Sequence, residues 1–290
     1  MGIELENAER DREVMKISLI LATKGRVKEI ERFIQSLTHQ GYSLELIVVD
    51  QNEDDRLESM LKEPNLPFPV VHLRSEVGLS RARNVGVAFA TGDIIAFPDD
   101  DCWYPAGLLT RVVSELQSQV SVDGLTGRSE DGRGRPSGGS FSRRKGRVDI
   151  NNVWKTGISY TIFLRSSVCT AVGPFDEELG AGAHTRFGSG EESDYLIRTV
   201  KLGFNIQYLP DLVVYHANSI LYNRNDCQKA FRYGAGMGRV LSKHRYKLSY
   251  NLYKILRPIG GALLSLLTLR ARKAAYHLAI ARGRLCGLWS

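Results

Sequence analysis

Residues 91–101 read Thr91-Gly92-Asp93-Ile94-Ile95-Ala96-Phe97-Pro98-Asp99-Asp100-Asp101. An apolar, β-branched run ends in three consecutive carboxylates. Such a run predicts a buried strand over Ile94 to Phe97. Three aspartates at the mouth of a buried strand repel one another and lose solvation, so the arrangement is costly without a cation. Hard oxygen donors of this kind suit Mg²⁺ or Mn²⁺, ions that commonly also hold phosphates. The stretch therefore points to metal-assisted binding of a nucleoside diphosphate. The competing explanation is a solvated acidic turn.

Outward from this stretch, strand and helix alternate. Residues 16–21 predict a strand followed by a turn at Thr23-Lys24-Gly25-Arg26. Val27, Ile30, Phe33, Ile34 and Leu37 recur at helical spacing. Residues 44–49 predict a second strand ending at Asp50, and residues 70–73 a third. A helix is expected over residues 80–90 with Val85, Ala88 and Phe89 inward, and another over residues 108–116. This alternation is the pattern of an α/β fold with a mostly parallel central sheet, whose ligands bind at the carboxyl ends of the strands. Thr23, Asp50 and Asp99 to Asp101 each follow a strand end and should face one crevice.

Beyond it, residues 127–147 (GRSEDGRGRPSGGSFSRRKGR) are nearly devoid of apolar side chains and predict a mobile basic loop. It either closes over phosphates or is a solvated insertion. Residues 158–164 predict a strand and 166–172 a short helix. A Gly-rich stretch, residues 179–190, leads into Glu191-Glu192-Ser193-Asp194 at the start of a helix. Acids in a first turn complement the helix dipole, but three in four residues exceed what capping needs. Two strands, 206–209 and 212–215, end at His216. Tyr233 to Arg239 (YGAGMGR) predicts a Gly-rich turn.

Charge is unevenly distributed. The 290 residues carry a net +7, from 39 Lys/Arg and 32 Asp/Glu. Residues 224–290 hold 14 of the bases and one acid, a charge of +13. The remaining 25 bases and 31 acids give −6. An acidic body with a basic tail implies a polyanionic surface as partner, either anionic lipid or nucleic acid. Residues 258–269 (PIGGALLSLLTL) are apolar, too short to span a bilayer, and flanked by Lys254, Arg257, Arg270, Arg272 and Lys273. This pattern suits a segment lying in the headgroup region of an anionic leaflet, and no nucleic acid is expected. The alternative is a helix that closes the core. Cys102, Cys169, Cys227 and Cys286 show no zinc or disulfide spacing, which favours a reducing compartment. The charged N-terminus shows no secretory signal.

Four blocks in order resemble family 2 glycosyltransferases, inverting enzymes of the GT-A fold: residues 16–26 (KISLILATKGR), 45–55 (ELIVVDQNEDD), 78–105 (GLSRARNVGVAFATGDIIAFPDDDCWYP) and 188–216 (GSGEESDYLIRTVKLGFNIQYLPDLVVYH). The resemblance implies that Thr23 and Asp50 contact the base and ribose, with Arg81 and Arg83 near the nucleotide. Asp99 and Asp100 would lie at the nucleotide, and Asp101, with Asp99 and His216, at a Mn or Mg ion. Glu192 matches the general base, with Glu191 and Asp194 beside it as alternatives. The neighbouring acids should raise the pKa of Glu192. The processive members' QxxRW motif is absent, which implies transfer of a single sugar. Taken with the tail, the expectation is a cytoplasmic enzyme peripheral to the inner face of the cell membrane, using a nucleotide-sugar donor (UDP being the commonest) and a glycan or lipid-linked acceptor of envelope or exopolysaccharide synthesis. The competing functions are a nucleotidyltransferase making activated sugars and a non-enzymatic membrane- or polyanion-binding module. The expected organisation is an N-terminal extension over 1–15, a GT-A domain over 16–240 and a membrane-associating tail over 241–290. Within the domain, a nucleotide-binding half covers about 16–125 and an acceptor-side half about 150–240.

Overall fold

The computed structural model describes residues 15–63, 66–217 and 221–290. The expected N-terminal extension therefore lies outside the described residues, apart from Met15. Four parallel strands form the first half of one sheet: β1 (Ile17–Thr23), β2 (Leu44–Asp50), β3 (Val70–Arg74) and β4 (Ile94–Ala96). β1 and β2 are buried along their whole length, as expected of strands covered by helices on both faces. On one face, Ile17, Leu19 and Leu21 pack with Ile30, Phe33 and Leu37 of α1 (Lys28–Leu37). Ile20 and Ala22 point to the other face. A single helical turn, α2 (Glu58–Leu61), precedes β3.

The sheet order is β3-β2-β1-β4-β8-β6-β9-β5. Its second half comprises β5 (Cys102–Trp103), β6 (Gly124–Glu130), β8 (Ile162–Arg165) and β9 (Ile206–His216), with β7 (Gly146–Arg147) paired to β9. β8 runs antiparallel to both β4 and β6, and β9 parallel to β6, so six of the nine described strands point the same way. The register aligns Thr23 with Asp50 and bridges Ala22 to Asp99, which brings the carboxyl ends of β1, β2 and β4 level.

Several elements differ from the sequence reading. Helix α3 (Leu79–Val87) turns Ser80, Ala82, Arg83 and Gly86 inward, whereas Phe89 is 53% exposed. A Cβ on Gly86 would lie 2.3 Å from Ile20 Cγ2 and 3.2 Å from Val49 Cγ2, so the small face of the helix seats against the sheet. The expected basic loop begins late: residues 127–130 belong to β6, with Ser129 fully buried. The two strands expected over 206–215 are one, and the register with β6 shifts between Thr126 and Arg128, where β9 carries the extra residues.

The helices α4 (Leu108–Ser118), α5 (Ser166–Val172) and α6 (Glu191–Lys201) fall where periodicity places them. The expected turn at Tyr233–Arg239 does not form. Those residues lie inside α7 (Arg224–Lys243), a 20-residue helix with a capping box at Asn223. Its glycines are packing surfaces, because α9 (Ala271–Leu288) crosses it at backbone contact distance. A Cβ on Gly234 would lie 2.5 Å from the carbonyl oxygen of Ile280, and one on Gly287 2.0 Å from that of Ala235. Between them, α8 (Leu248–Leu267) keeps Lys254, Pro258 and Ala262 buried and leaves a row of leucines exposed. In the C-terminal segment α9 packs against α7, and α8, which holds the apolar stretch, presents an apolar face outward. Among the described residues no helix is long and apolar enough to cross a membrane.

Candidate active site

The level strand ends open into a cavity of about 550 Å³ lined by Thr23, Arg26, Asp99, Asp100, Asp101 and His216, and closed on its far side by Tyr233 of α7. The loop after β4 turns all three aspartates toward it. Asp100 accepts from Thr23 Oγ1 at 2.8 Å and from Arg26 NH1 at 2.6 Å. Burial outweighs both donors and pushes its carboxyl up to about 6. Asp101 is the opposite case. Burial opposes its charge, but His216 Nε2 at 3.0 Å and Arg26 NH1 at 2.6 Å together pull its pKa down to about 2. Pairing of β5 with β9 sets Cys102 opposite His216, which fixes Asp101 beside the imidazole. That ring stacks on Tyr160 at 5.0 Å, and its Nδ1 is 3.2 Å from Ser137 Oγ.

Arg83 lies behind these groups. It is 1% exposed and bridges Asp99 (3.0 Å) to Glu191 (3.2 Å). Ser159 Oγ also donates to Asp99, at 3.1 Å. Burial raises the pKa of both acids against the pull of Arg83. Glu191 Oε2 is buried with no hydrogen-bond partner. Glu192, next along α6, opens into a second cavity of about 220 Å³ that shares Tyr233 with the first. Burial, and then the charge of Glu191, push the Glu192 carboxyl up to about 8.

Not every expected residue reaches the cavities. Asp194 is fully buried on the other side of α6, where His244 and Lys243 (both 2.8 Å) and Arg198 (2.9 Å) pull its pKa down to about 2 against burial. It lines neither cavity, and it is not among the groups that raise Glu192. Arg81 points to the surface and pairs with Glu76 and with Glu177 at 3.0 Å. Asp50 is fully buried below the cavity floor, accepting from Asn52 at 2.8 Å (backbone) and 2.7 Å (side chain), with His72 at 3.1 Å and Arg74 at 3.2 Å. Its neighbour Gln51 reaches the cavity instead.

With this geometry in place, the comparisons with known proteins have a site to bear on. The family described as "Glycosyl transferase family 2" matches residues 18–169, just over half the chain. The chain belongs to glycosyl transferase family 2. Among the relatives of this glycosyltransferase-family chain, the glycosyltransferase AglE of Haloferax volcanii is 26% identical over 247 residues, covering 80% of this chain and 76% of AglE. The uncharacterized glycosyltransferase YwdF of Bacillus subtilis is 30% identical over 105 residues, 36% of this chain and 39% of YwdF. The chain thus spans well under half of that second relative's length. Among solved structures, the mannosyltransferase PcManGT from Pyrobaculum calidifontis, in complex with GDP-Man and Mn²⁺, superposes with a TM-score of 0.64 at 17% identity, over 98% of this chain and 94% of that one. S. aureus TarS 1-349 in complex with UDP-GlcNAc gives 0.55 at 18% identity, over 92% and 90%. At these identities the likeness shows the fold, which is of GT-A type.

A family 2 chain invites the question of a metal. Among the described residues no three His, Cys, Asp or Glu side chains converge as a ready cage. The structure shows instead what a cation would replace. The Arg26 guanidinium, with 40% of its side-chain surface exposed, sits at 2.6 Å from both Asp100 and Asp101 and neutralises them. A carboxylate and an imidazole in contact form a donor set that fits a hard divalent ion once that arginine swings away.

Arg26, Ser159 and Tyr233 are the site residues that sequence reasoning missed. Arg26 carried a signal, a cation three residues after a strand end in a chain with strand-end acids. Tyr233 carried none, because its helix was read as a turn.

Proposed function

We propose that this chain is an inverting glycosyltransferase that moves one sugar from a nucleoside-diphosphate sugar to a hydroxyl acceptor. The observation that carries this reading is the pairing of two adjoining cavities, one walled by Asp99 to Asp101 and the other by Glu192. The first takes the donor, with Thr23 and Gln51 on the nucleotide side, Asp50 bracing the floor and Asp99 and Asp100 at the nucleotide. Asp101 and His216 would hold a Mn²⁺ or Mg²⁺ ion. Such an ion, when bound, supplies Lewis-acid stabilisation of the leaving diphosphate.

The chain's own residues supply the rest. Glu192 accepts the proton of the acceptor hydroxyl as its oxygen bonds to the anomeric carbon. The bond from that carbon to the phosphate oxygen breaks on the opposite side, and the configuration inverts. Arg83 keeps Glu191 charge-balanced beneath, and Tyr233 separates the two cavities. The GT-A domain of this reading runs from β1 through α7, and α8 with α9 forms the C-terminal segment. Leu252, Leu256, Leu263, Leu266 and Leu267 lie on one face of α8, all about half exposed or more, beside Arg257 and Arg270. That face suits an anionic leaflet and a lipid-linked acceptor, which would make the enzyme peripheral to the inner face of the cell membrane. A Leu263→Glu/Leu267→Glu variant that still sediments fully with phosphatidylglycerol vesicles would refute the leaflet contact. Nucleotidyl transfer is disfavoured because the Ala22–Arg26 turn holds one glycine where a phosphate loop needs several.

The test is thermal unfolding with UDP, GDP, dTDP or CMP, each with Mn²⁺ or chelator, on wild type and Asp101→Ala. A ligand at a hundred times its dissociation constant stabilises by about 2.7 kcal/mol. The reading expects one nucleotide to stabilise the wild type only with metal, and Asp101→Ala to lose that gain. It fails if no nucleotide shifts the wild type.

A further inference from the structure

The second cavity concentrates positive charge that nothing in the described structure neutralises. Lys254 and Arg257 of α8 and Arg284 of α9 line it, with Lys155 at its rim. Lys254 is 6% exposed, yet its ammonium faces aromatic rings, Trp154 at 5.5 Å and Tyr250 at 5.0 Å. Among the described residues no carboxylate lies within ion-pair distance of Lys254, Arg257 or Arg284. Arg284 donates through NH1 to the Lys254 carbonyl, while its Nε is buried without a partner. Burial, and then the charges of Arg284, Arg257 and Lys155, push the Lys254 ammonium down to about 8. Arg284 is pushed down to about 10 by burial and by Arg257.

The contrast with the rest of the molecule is informative. Arg83, equally buried, bridges two carboxylates. Asp194 collects two cations, Arg198 and Lys243, and the His244 imidazole. A fold that compensates its buried charges elsewhere leaves buried Lys254 and half-buried Arg284, with exposed Arg257 beside them, lacking a carboxylate partner at a cavity, and uncompensated buried charge is retained at a cost to stability. An anion able to accept from an ammonium and two guanidiniums at once removes that cost, and a phosphate, with its several acceptor oxygens, fits such a set of donors. The acid that lines the same cavity is Glu192, so the anion's carrier would also meet the group read above as the base.

We propose that Lys254, Arg257 and Arg284 bind a phosphate group carried by the acceptor, so that the enzyme glycosylates phosphorylated acceptors. The acceptor's role rests on the reading of Glu192 as base, whereas the phosphate site stands on the cation cluster. The phosphate belongs either to a soluble phosphate ester or to a lipid at a membrane surface beside α8, and the experiment separates the two.

Chelator-treated full-length protein, in which metal-dependent nucleotide binding is silent, is titrated calorimetrically with inorganic phosphate. The same protein is sedimented with phosphatidylcholine vesicles with and without phosphatidylglycerol. Arg257 is exposed, so Arg257→Glu should keep the wild-type melting temperature, and Lys254→Met is the second variant. The expected result is a loss of about tenfold or more in phosphate or vesicle affinity in both variants. Sensitivity in the phosphate titration assigns a soluble source, and sensitivity in the vesicle assay with it a lipid one. If neither assay distinguishes Arg257→Glu from wild type, the proposal is overturned. Nucleotide titration with Mn²⁺ on the same proteins isolates the donor reading: Arg257→Glu keeps the wild-type nucleotide affinity. A wild type that binds phosphate through Arg257 but no nucleotide would sink the donor reading and leave the phosphate site standing.

Discussion

Arg83→Met is the substitution whose outcome the structure specifies most sharply. The arginine is 1% exposed and holds Asp99 and Glu191, acids that lie on different halves of the molecule. Methionine of similar length leaves both carboxylates without this partner. Removing one member of a buried ion pair costs about 3–5 kcal/mol. Unfolding entropy of about 2.1 cal/mol/K per residue gives about 0.6 kcal/mol/K for this chain, so the melting temperature should fall by about 5–8 °C. The loss must also depend on pH. Burial has already raised both pKa values, and Arg83 opposes the rise, so its removal raises them further. A carboxyl whose folded pKa exceeds its unfolded value binds more protons folded than unfolded, so stability falls as pH rises between the two values. The gap between variant and wild type should therefore widen from acid to neutral pH, as the orphaned acids are forced to ionise. Arg81→Met is the control. Two residues away, Arg81 pairs with Glu76 and Glu177 in solvent, and such pairs contribute about 0–1 kcal/mol. The reasoning fails if the two variants melt alike, or if the Arg83→Met deficit is the same at acid and neutral pH.

Two further outcomes follow from the same geometry. Glu192→Gln should lower sugar transfer by about 10²–10⁴ while nucleotide binding stays intact. In the wild type the rate should climb with pH, reach half its maximum at about pH 8 and level off above it, because only the ionised carboxylate accepts a proton. A rate that is flat below that point would move the base elsewhere. The crossing of α7 and α9 predicts that Gly287→Ala, whose Cβ would lie 2.0 Å from the Ala235 carbonyl oxygen, destabilises the whole chain by about 1–3 kcal/mol. Unchanged urea unfolding would mean that the C-terminal helices are not packed as described.

The pair Arg81 and Arg83 also shows where sequence reasoning stopped. Parallel strands of known polarity bring their carboxyl ends level, so Thr23, Asp50 and Asp99 could be assigned to one end of the sheet from apolar runs alone. Helix α3 offered no such guide. Positions 81 and 83 are about 200° apart on a helix, so one must point in and the other out. Bulky residues usually mark the inward face, and here Phe89 misled, because close contact with Ile20 and Val49 selects Gly86 and Ala82 instead. The same physics hid α7. Three glycines in YGAGMGR each weaken an isolated helix by about 1 kcal/mol relative to alanine, so local propensity reads a turn. What recovers the helix is α9, whose own Gly283 and Gly287 let the two backbones touch, and no local pattern reports a partner more than 40 residues downstream. The surroundings of Asp194 were hidden from the sequence for the complementary reason. Its neighbour in sequence Glu192 lines a cavity, but its neighbours in space are Lys243 and His244 at the end of α7. Of the acids at the start of α6, Glu192 lines a cavity, Glu191 is held by Arg83, and Asp194 is held by Arg198, Lys243 and His244. Arg83 reaches Glu191 across 108 residues of chain and Asp99 across 16, a convergence that only the tertiary fold could place.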